Sequence, residues 1–251
     1  MSFCLIILAG GNSHRFGSNI GKPYQKIAGK SLIEINITKA LKFKQIRKII
    51  VVYNKKDSKR IKSLRLKNVI LLPGGNSRQQ STYNALKYLK KQKSISKVLI
   101  HDAARPNFSI KLLGTIIKNM KNARAVVPKI KIEYAVKQLI DSSKDEYILG
   151  KKRDDLFLTQ TPQAFKFKEI FELHKSNYSK YKDDDISLYM DLNNVKFIDG
   201  DKKNFKITDL SDLENFKSIY KSRLNVGIVF DVHRLVPKRK LYLGGLKIKS
   251  K

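Results

Sequence analysis

The sequence contains one cysteine, no tryptophan and few acidic residues, and these shortages limit what the protein can be. A single cysteine, Cys4, excludes a disulfide within the chain and is typical of the reducing cytoplasm, so we predict a cytoplasmic location and a buried Cys4. No apolar run approaches the roughly 20 residues of a membrane-spanning helix. The apolar start also lacks the basic residues of a signal peptide. We therefore expect no membrane partner.

Acidic residues are strongly outnumbered, since 53 Lys and Arg stand against 21 Asp and Glu and give a formal net charge of +32. This excess suits a polyanionic partner such as nucleic acid or a phosphorylated substrate. The lysines are nevertheless spread over the whole chain together with many Ile and Asn, a combination that AT-rich codons also produce. A nucleic-acid-binding protein, the alternative of another class, predicts basic residues clustered with aromatic platforms. No such motif is present, so we do not expect a nucleic-acid partner.

Short apolar segments alternate with amphipathic ones along a chain of 251 residues, which is long enough for a large α/β domain. The predicted strands are residues 3–8, 48–52, 68–72, 97–101 and 123–127. The predicted helices are residues 31–43, 57–66, 79–92, 110–121, 165–180 and 210–220. Continuous apolar strands separated by helices are typical of a parallel sheet covered on both faces. Ligands of such sheets bind at the carboxyl ends of the strands.

The pattern changes between residues 129 and 155, where charged, alternating segments at 134–140 and 147–149 flank a polar turn. This predicts a hairpin arm that projects from the sheet. A new strand pattern begins after residue 222. We therefore predict a main domain over residues 1–222, with the arm at about 129–155, and an incomplete second domain over residues 223–251.

A glycine-containing loop follows the first predicted strand, in the segment LAGGNSHRFGSNIGKPYQ. Glycines let backbone amides approach a phosphate closely, and Arg15 and Lys22 add fixed positive charge. The spacing is neither that of a Walker A loop nor that of the Rossmann fingerprint. We assign no catalytic role to two of the histidines. We expect His101 to be structural and His174 to lie at the surface.

Five ordered segments between residues 8 and 208 resemble one enzyme family. The glycine loop resembles the signature of nucleotidyltransferases that activate sugars and alditols. The segments GGNSRQQSTYNAL (74–86), HDAARP (101–106), TPQAF (161–165) and NFKIT (204–208) are similar to motifs of the 2-C-methyl-D-erythritol 4-phosphate cytidylyltransferase family. This resemblance implies a Rossmann-like, mostly parallel sheet of the nucleotide-diphospho-sugar transferase type, with helices on both faces and a projecting β-arm.

The resemblance also implies a reaction and its residues. A cytidylyl group would pass from CTP, with Mg²⁺ or another divalent cation, to 2-C-methyl-D-erythritol 4-phosphate, which releases pyrophosphate. Arg15 and Lys22 match the residues that stabilise the transition state, and Arg153 and Lys206 match those that grip the alditol phosphate. Because Arg153 lies on the arm, the resemblance also implies a homodimer that forms through the arm. The implied substrate-binding residues are Ala9, Gly10, Gly11, Gly75, Asn76, Ser81, Asp102, Arg105 and Thr161.

The segment GIVFDVHRL (227–235) resembles the first strand of 2-C-methyl-D-erythritol 2,4-cyclodiphosphate synthase, which some bacteria fuse behind the cytidylyltransferase. Asp231 and His233 match two of its zinc ligands, and the third lies further downstream in that family. Because a catalytic Zn²⁺ needs three protein ligands, we expect an incomplete zinc site and no cyclase activity. A cytidylyltransferase for ribitol 5-phosphate or a related alditol phosphate stays open as an alternative, since the first loop and the arm depart from the family pattern.

Overall fold

The computed structural model describes residues 2–11, 16–17, 20–92, 94–141, 146–149, 152–177, 183–221, 241–243 and 246–248. The strands, in chain order, are β1 Phe3–Ala9, β2 Lys26–Ile27, β3 Lys30–Ser31, β4 Ile46–Tyr53, β5 Val69–Pro73, β6 Lys97–Asp102, β7 Ala125–Lys131, β8 Lys137–Asp141, β9 Glu146–Leu149, β10 Phe157–Thr159, β11 Gln163–Lys166, β12 Val195–Asp199, β13 Leu241–Leu243 and β14 Leu246–Ile248. The helices are α1 Leu32–Ala40, α2 Ser58–Ser63, α3 Arg78–Lys90, α4 Ile110–Asn119, α5 Phe167–Asn177 and α6 Leu210–Lys221.

An eight-stranded sheet forms the centre of the fold. Its strand order is β10-β7-β11-β6-β1-β4-β5, and β12 also pairs with β7. Strands β6, β1, β4 and β5 run parallel, as does β12 beside β7, whereas β10 and β11 are antiparallel to their neighbours. The sheet is therefore mostly parallel, which confirms the predicted fold class.

Both faces of the sheet are covered by helices. The side chains of each strand alternate between the two faces, so each face carries apolar side chains that the helices bury. On β1, Phe3, Leu5 and Ile7 pack into one buried cluster together with residues of α1, α2 and α4. Cys4 and Ile6 point to the other face, where α3 and α5 complete a second cluster. Burial raises the pKa of the Cys4 thiol, and the predicted core position of this residue is confirmed.

The helices begin where short polar residues cap them. Ser31 and Glu34 form a reciprocal capping box at α1, with the hydroxyl of Ser31 accepting from the Glu34 amide and the Glu34 carboxylate accepting from the Ser31 amide. Ser77 and Ser109 accept from backbone amides at the starts of α3 and α4. The cap at α3 matters most, since it fixes a helix N-terminus beside the carboxyl ends of the strands.

Some of the predicted elements need correction. All five predicted strands are present, with ends that differ from the predicted ones by up to four residues, but β10, β11 and β12 were not predicted. The prediction of helix from residue 165 was wrong, because Phe165 and Lys166 belong to β11 and α5 begins at Phe167. Strand β11 has only four residues, and it is held between β6 and β7 by pairing that no local pattern signals.

The hairpin predicted for the arm is present, as β8 and β9 pair in antiparallel fashion. Its first strand begins at Lys137, three residues later than residue 134. Over the described ranges, no helix is long and apolar enough to cross a membrane.

Candidate active site

A cleft of about 650 Å³ opens at the carboxyl ends of the parallel strands. The loops that follow β1, β4 and β5 and the end of β6 form its walls, as the strand order of the sheet requires. The predicted site residues that line it are Gly10, Gly11, Lys22, Gly75, Asn76, Ser81, Asp102 and Lys206. Eight residues from separate parts of the chain are thus brought to one place.

The loop between β5 and α3 is built around two glycines. A Cβ on Gly75 would lie 2.5 Å from the Cβ of Gln80, and one on Gly74 would lie 2.9 Å from the Oγ of Ser81, so neither position has room for a side chain. The Ser81 hydroxyl accepts a hydrogen bond from the Gly75 amide at 3.1 Å, and the Gln80 side chain accepts from the Asn76 amide at 2.9 Å. Residues of α3 therefore hold this loop against the cleft.

Asp102 is the only carboxylate among the described residues that line the cleft, and three cations surround it. Its Oδ2 lies 3.0 Å from Nζ of Lys206 and 3.9 Å from Nε of Arg105, and its Oδ1 lies 3.4 Å from Nε of Arg78. Burial by itself would raise the pKa of Asp102, but Arg78, Lys206 and Arg105 outweigh it and hold that pKa well below its usual range. The carboxylate is therefore ionised at neutral pH.

Buried polar residues next to Asp102 form a hydrogen-bonded network that holds it in place. The hydroxyl of Thr161 accepts a hydrogen bond from the Asp102 amide at 3.1 Å and lies 3.0 Å from Nδ1 of His101. The Nε2 of His101 faces two acceptors, Oδ1 of Asn36 and the carbonyl oxygen of Arg105, so we assign its proton to Nε2. Burial lowers the pKa of His101 to about 3. His101 is thus a neutral structural residue, as predicted.

Lys22 also lines the cleft, in a short 3₁₀-helix at Lys22–Tyr24. Its Nζ is 5.7 Å from the centre of the buried Phe16 ring, within the range of a cation–π contact. Pro23 and Tyr24, directly after it, are buried. The ammonium group is therefore presented from an anchored segment.

The other predicted site residues in the described part of the chain do not line the cleft. Ala9 is buried at the end of β1. Arg105 reaches Asp102 and donates to the carbonyl of Asn204 at 2.9 Å. Arg153 is half exposed and donates to the carbonyl of Glu133 at 3.1 Å, at the base of the arm. Arg15, Asp231 and His233 lie outside the described residues.

Several lining residues were not singled out from the sequence. Arg78 stands within the GGNSRQQS segment, but its contact with Asp102 depends on how α3 sits against β6. Lys55 and Lys56 follow β4 and add positive charge, and Asn54 donates to the carbonyl of Gly10 at 3.2 Å. Their position directly after a buried strand was the available signal.

The prediction that His174 lies at the surface was wrong. His174 is fully buried on the inner face of α5, with its Nε2 3.0 Å from Oδ1 of the equally buried Asp185. The helical pattern of α5 places residue 174 one turn beyond Ile170, on the face that packs against the sheet.

Comparison with known proteins identifies relatives of this chain. The family model of IspD, 2-C-methyl-D-erythritol 4-phosphate cytidylyltransferase, matches residues 3–222. The chain is 45% identical over 251 residues to a bifunctional enzyme IspD/IspF of Pelagibacter ubique (strain HTCC1062), covering all of this chain and 65% of that protein. It is 33% identical over 217 residues to the 2-C-methyl-D-erythritol 4-phosphate cytidylyltransferase of Thermosipho africanus (strain TCF52B), covering 83% of this chain and 93% of that protein.

Among solved structures, the 4-diphosphocytidyl-2C-methyl-D-erythritol synthase of Anaerococcus prevotii DSM 20548 superposes with a TM-score of 0.73 at 30% identity. The match covers 88% of this chain and 96% of that one. The chain spans 65% of the length of the bifunctional relative from Pelagibacter ubique. The family model and these relatives establish that the chain belongs to the 2-C-methyl-D-erythritol 4-phosphate cytidylyltransferase family of nucleotidyltransferases.

Proposed function

We propose that the cleft binds CTP and 2-C-methyl-D-erythritol 4-phosphate and transfers the cytidylyl group between them. The observation that carries this proposal is the arrangement of cations at the carboxyl edge of the sheet. Lys22, Arg78 and Lys206 all line the cleft, together with the glycine loops that follow β1 and β5. Two polyanionic substrates need this distribution of positive charge to approach each other.

The reaction needs no general base from the protein. A phosphomonoester has a second pKa of about 6, so its oxygen is already anionic at neutral pH. That oxygen attacks the α-phosphorus of CTP, the new P–O bond forms, and the bond to the β-phosphate oxygen breaks with loss of pyrophosphate. The burial of His101 and its low pKa suit this scheme, because the histidine nearest to Asp102 cannot act as a base in the cleft.

We assign the roles by position. Lys22, with Arg15, stabilises the negative charge that develops on the α-phosphate, and Lys206, with Arg153, holds the phosphate of the alditol. Gly75, Asn76 and Ser81 contact the cytosine from the loop before α3, and Ala9, Gly10 and Gly11 bring backbone amides to the triphosphate. Arg105 and Thr161 fix Asp102, which is supported by their contacts with it.

A divalent cation fits the cleft when most of its ligands come from the nucleotide. No group of three or more His, Cys, Asp or Glu side chains that could hold a metal occurs in the part of the chain that the structure describes. Mg²⁺ commonly binds through one or two carboxylates together with substrate phosphates. Asp102 would hold it in that way here, and the bound ion would neutralise charge on the triphosphate.

We further propose a homodimer, formed through the arm, in which Arg153 serves the cleft of the other subunit. The exposure of Arg153 and its place at the base of the arm support this. We also propose a cytoplasmic location, which the single buried cysteine supports. Residues 223–251 would begin a second domain, which is supported by the match of the whole chain to bifunctional relatives.

The test is release of pyrophosphate from CTP and Mg²⁺, with 2-C-methyl-D-erythritol 4-phosphate and ribitol 5-phosphate offered separately. We expect release with the methylerythritol substrate only. Lys22→Ala should lower turnover by about 10²–10³-fold, as loss of one donor to a transition-state oxyanion does. Lys26→Ala is the matched control, since Lys26 is an exposed lysine that does not line the cleft. Release with ribitol 5-phosphate instead would assign the chain to the alternative substrate.

A further inference from the structure

Three side chains in contact, those of His174, Asp185 and Arg78, connect the buried face of α5 to the cleft. The Nε2 of His174 lies 3.0 Å from Oδ1 of Asp185, and Oδ2 of Asp185 lies 2.8 Å from Nη2 of Arg78. The Nε of Arg78 also lies 3.4 Å from Oδ1 of Asp102. Arg78 lines the cleft, whereas His174 and Asp185 do not.

Burying the side chains of Asp185 and His174 costs free energy, and this cost needs an explanation. The side chains of Asp185 and His174 are both fully buried. Burial would raise the pKa of Asp185, but Arg78 and His174 hold it below its usual value, so the carboxylate stays charged inside the protein. Apolar residues of similar volume commonly stabilise a fold as well as a buried ion pair does. Packing alone therefore does not account for these residues.

His174 acts here as a hydrogen-bond donor. An ionised carboxylate can only accept, so the proton of the imidazole is assigned to Nε2. Its Nδ1 is buried and has no hydrogen-bond partner among the described residues. A proton on Nδ1 would leave an unsatisfied N–H in the interior, so Nε2 is assigned as the donor.

We propose that His174 is a positioning residue that, through Asp185, fixes the guanidinium of Arg78 where the nucleotide phosphates bind. Two carboxylates then contact Arg78, and His174 fixes the one that lies farther from solvent, Asp185. Without the N–H of His174, Oδ1 of Asp185 loses its partner and the carboxylate is free to rotate away from Arg78. This inference rests on the proposed function, since it assumes that the cleft takes CTP.

The experiment compares His174→Met with His174→Gln in the full chain. The two replacements have similar size and flexibility, but only glutamine can donate a hydrogen bond to Asp185. Affinity for CTP is measured by calorimetry, and KM is measured separately for CTP and for the alditol phosphate. We expect His174→Met to weaken CTP binding by about tenfold, a typical coupling for groups in one hydrogen-bonded network. His174→Gln should stay within about twofold of the unaltered chain, and KM for the alditol phosphate should not change.

A double-mutant cycle separates positioning from general destabilisation. If His174 acts through Arg78, His174→Met causes no further loss of CTP affinity in a chain that already carries Arg78→Ala. Ile170→Ala is the structural control, because Ile170 is an apolar residue that is fully buried one turn away from His174 on α5. It should lower the melting temperature and leave CTP affinity unchanged. Asp185→Asn gives the same comparison if His174→Met does not fold.

Two results would overturn the inference while leaving the proposed function intact. One is an equal loss of CTP affinity in His174→Met and His174→Gln, and the other is a loss that persists in the Arg78→Ala background. Failure of the unaltered chain to bind CTP would overturn the proposed function, and this inference with it.

Discussion

The Nζ of Lys206 lies 3.0 Å from Oδ2 of Asp102, which joins the loop after β12 to the end of β6 on one wall of the cleft. The lysine side chain is 45% exposed and the aspartate side chain only 12%. A half-exposed ion pair contributes little to stability. Its position suits binding instead, because a substrate phosphate can take Lys206 as its partner while Asp102 keeps Arg78 and Arg105.

The charge of Asp102 gives a prediction that depends on the metal. In the presence of EDTA, Asp102→Asn should bind CTP more tightly than the unaltered chain, because a negative charge that faces the triphosphate is gone. With Mg²⁺ the order should reverse, since the carboxylate is proposed to help hold the ion. Calorimetric titration of CTP under both conditions measures this.

The control for Asp102→Asn is Glu214→Gln, which removes the same charge from an exposed position on α6. It should leave CTP affinity unchanged under both conditions. An Asp102→Asn chain that binds CTP less tightly even in EDTA would contradict the electrostatic argument.

The comparison of sequence and structure shows where local patterns carry information. The parallel strands could be predicted because they are buried on both faces and so are largely apolar, as in β1 and in the centre of β6 at residues 98–100. The glycines could be placed at the site because they follow such strands directly, and Lys22 because it belongs to the glycine-containing segment after β1. Strand β11 could not be predicted, because its pairing with β6 and β7 is a tertiary event.

The network around Arg78 escaped prediction for a related reason. A basic residue at the start of a helix is ordinarily solvated, and in a chain with 53 Lys and Arg it carries no signal of its own. Its two partners, Asp102 and Asp185, are far away in sequence and come together only when α3 and α5 pack on the same face of the sheet. Site geometry of this kind depends on the whole fold.

The two glycine loops of the cleft should respond differently to a methyl group. Gly75→Ala should destabilise the chain by about 1–3 kcal/mol, because the new Cβ would meet the Cβ of Gln80 at 2.5 Å. Gly11→Ala should leave the free energy of unfolding unchanged, since no atom of the described residues lies within 4 Å of the added Cβ, but it should raise KM for CTP if the triphosphate approaches that backbone. Urea unfolding and steady-state kinetics of both variants test this. Equal stability of the two would show that the loop before α3 can adjust.

His101 should make stability depend on pH. Its pKa is about 3 in the folded chain, below the ordinary value of about 6.5 that the unfolded chain retains. Between these values the unfolded state binds the proton and the folded state does not, so the contribution is complete above about pH 6.5 and is lost as the pH falls towards 3. The expected slope from this group is about 1.4 kcal/mol per pH unit.

The measurement for His101 is the free energy of unfolding at several pH values between 7 and 4. His101→Gln should be less stable at pH 7, and its stability should fall less steeply with acid than that of the unaltered chain. Parallel curves for the two chains would mean that His101 does not remain neutral in the folded state.

The proposed dimer can be tested by mixing two inactive variants. If Arg153 serves the cleft of the other subunit, a mixed dimer of Lys22→Ala and Arg153→Ala contains one site with both defects and one site with none. Random exchange makes about half of the dimers mixed, so activity should return to about a quarter of that of the unaltered chain. Mixing Lys22→Ala with Lys206→Ala is the control, because both residues line the cleft of a single chain and every site in that mixture keeps one defect. Recovery in the first mixture but not in the second places Arg153 across the subunit boundary, and no recovery in either places it in the cleft of its own chain.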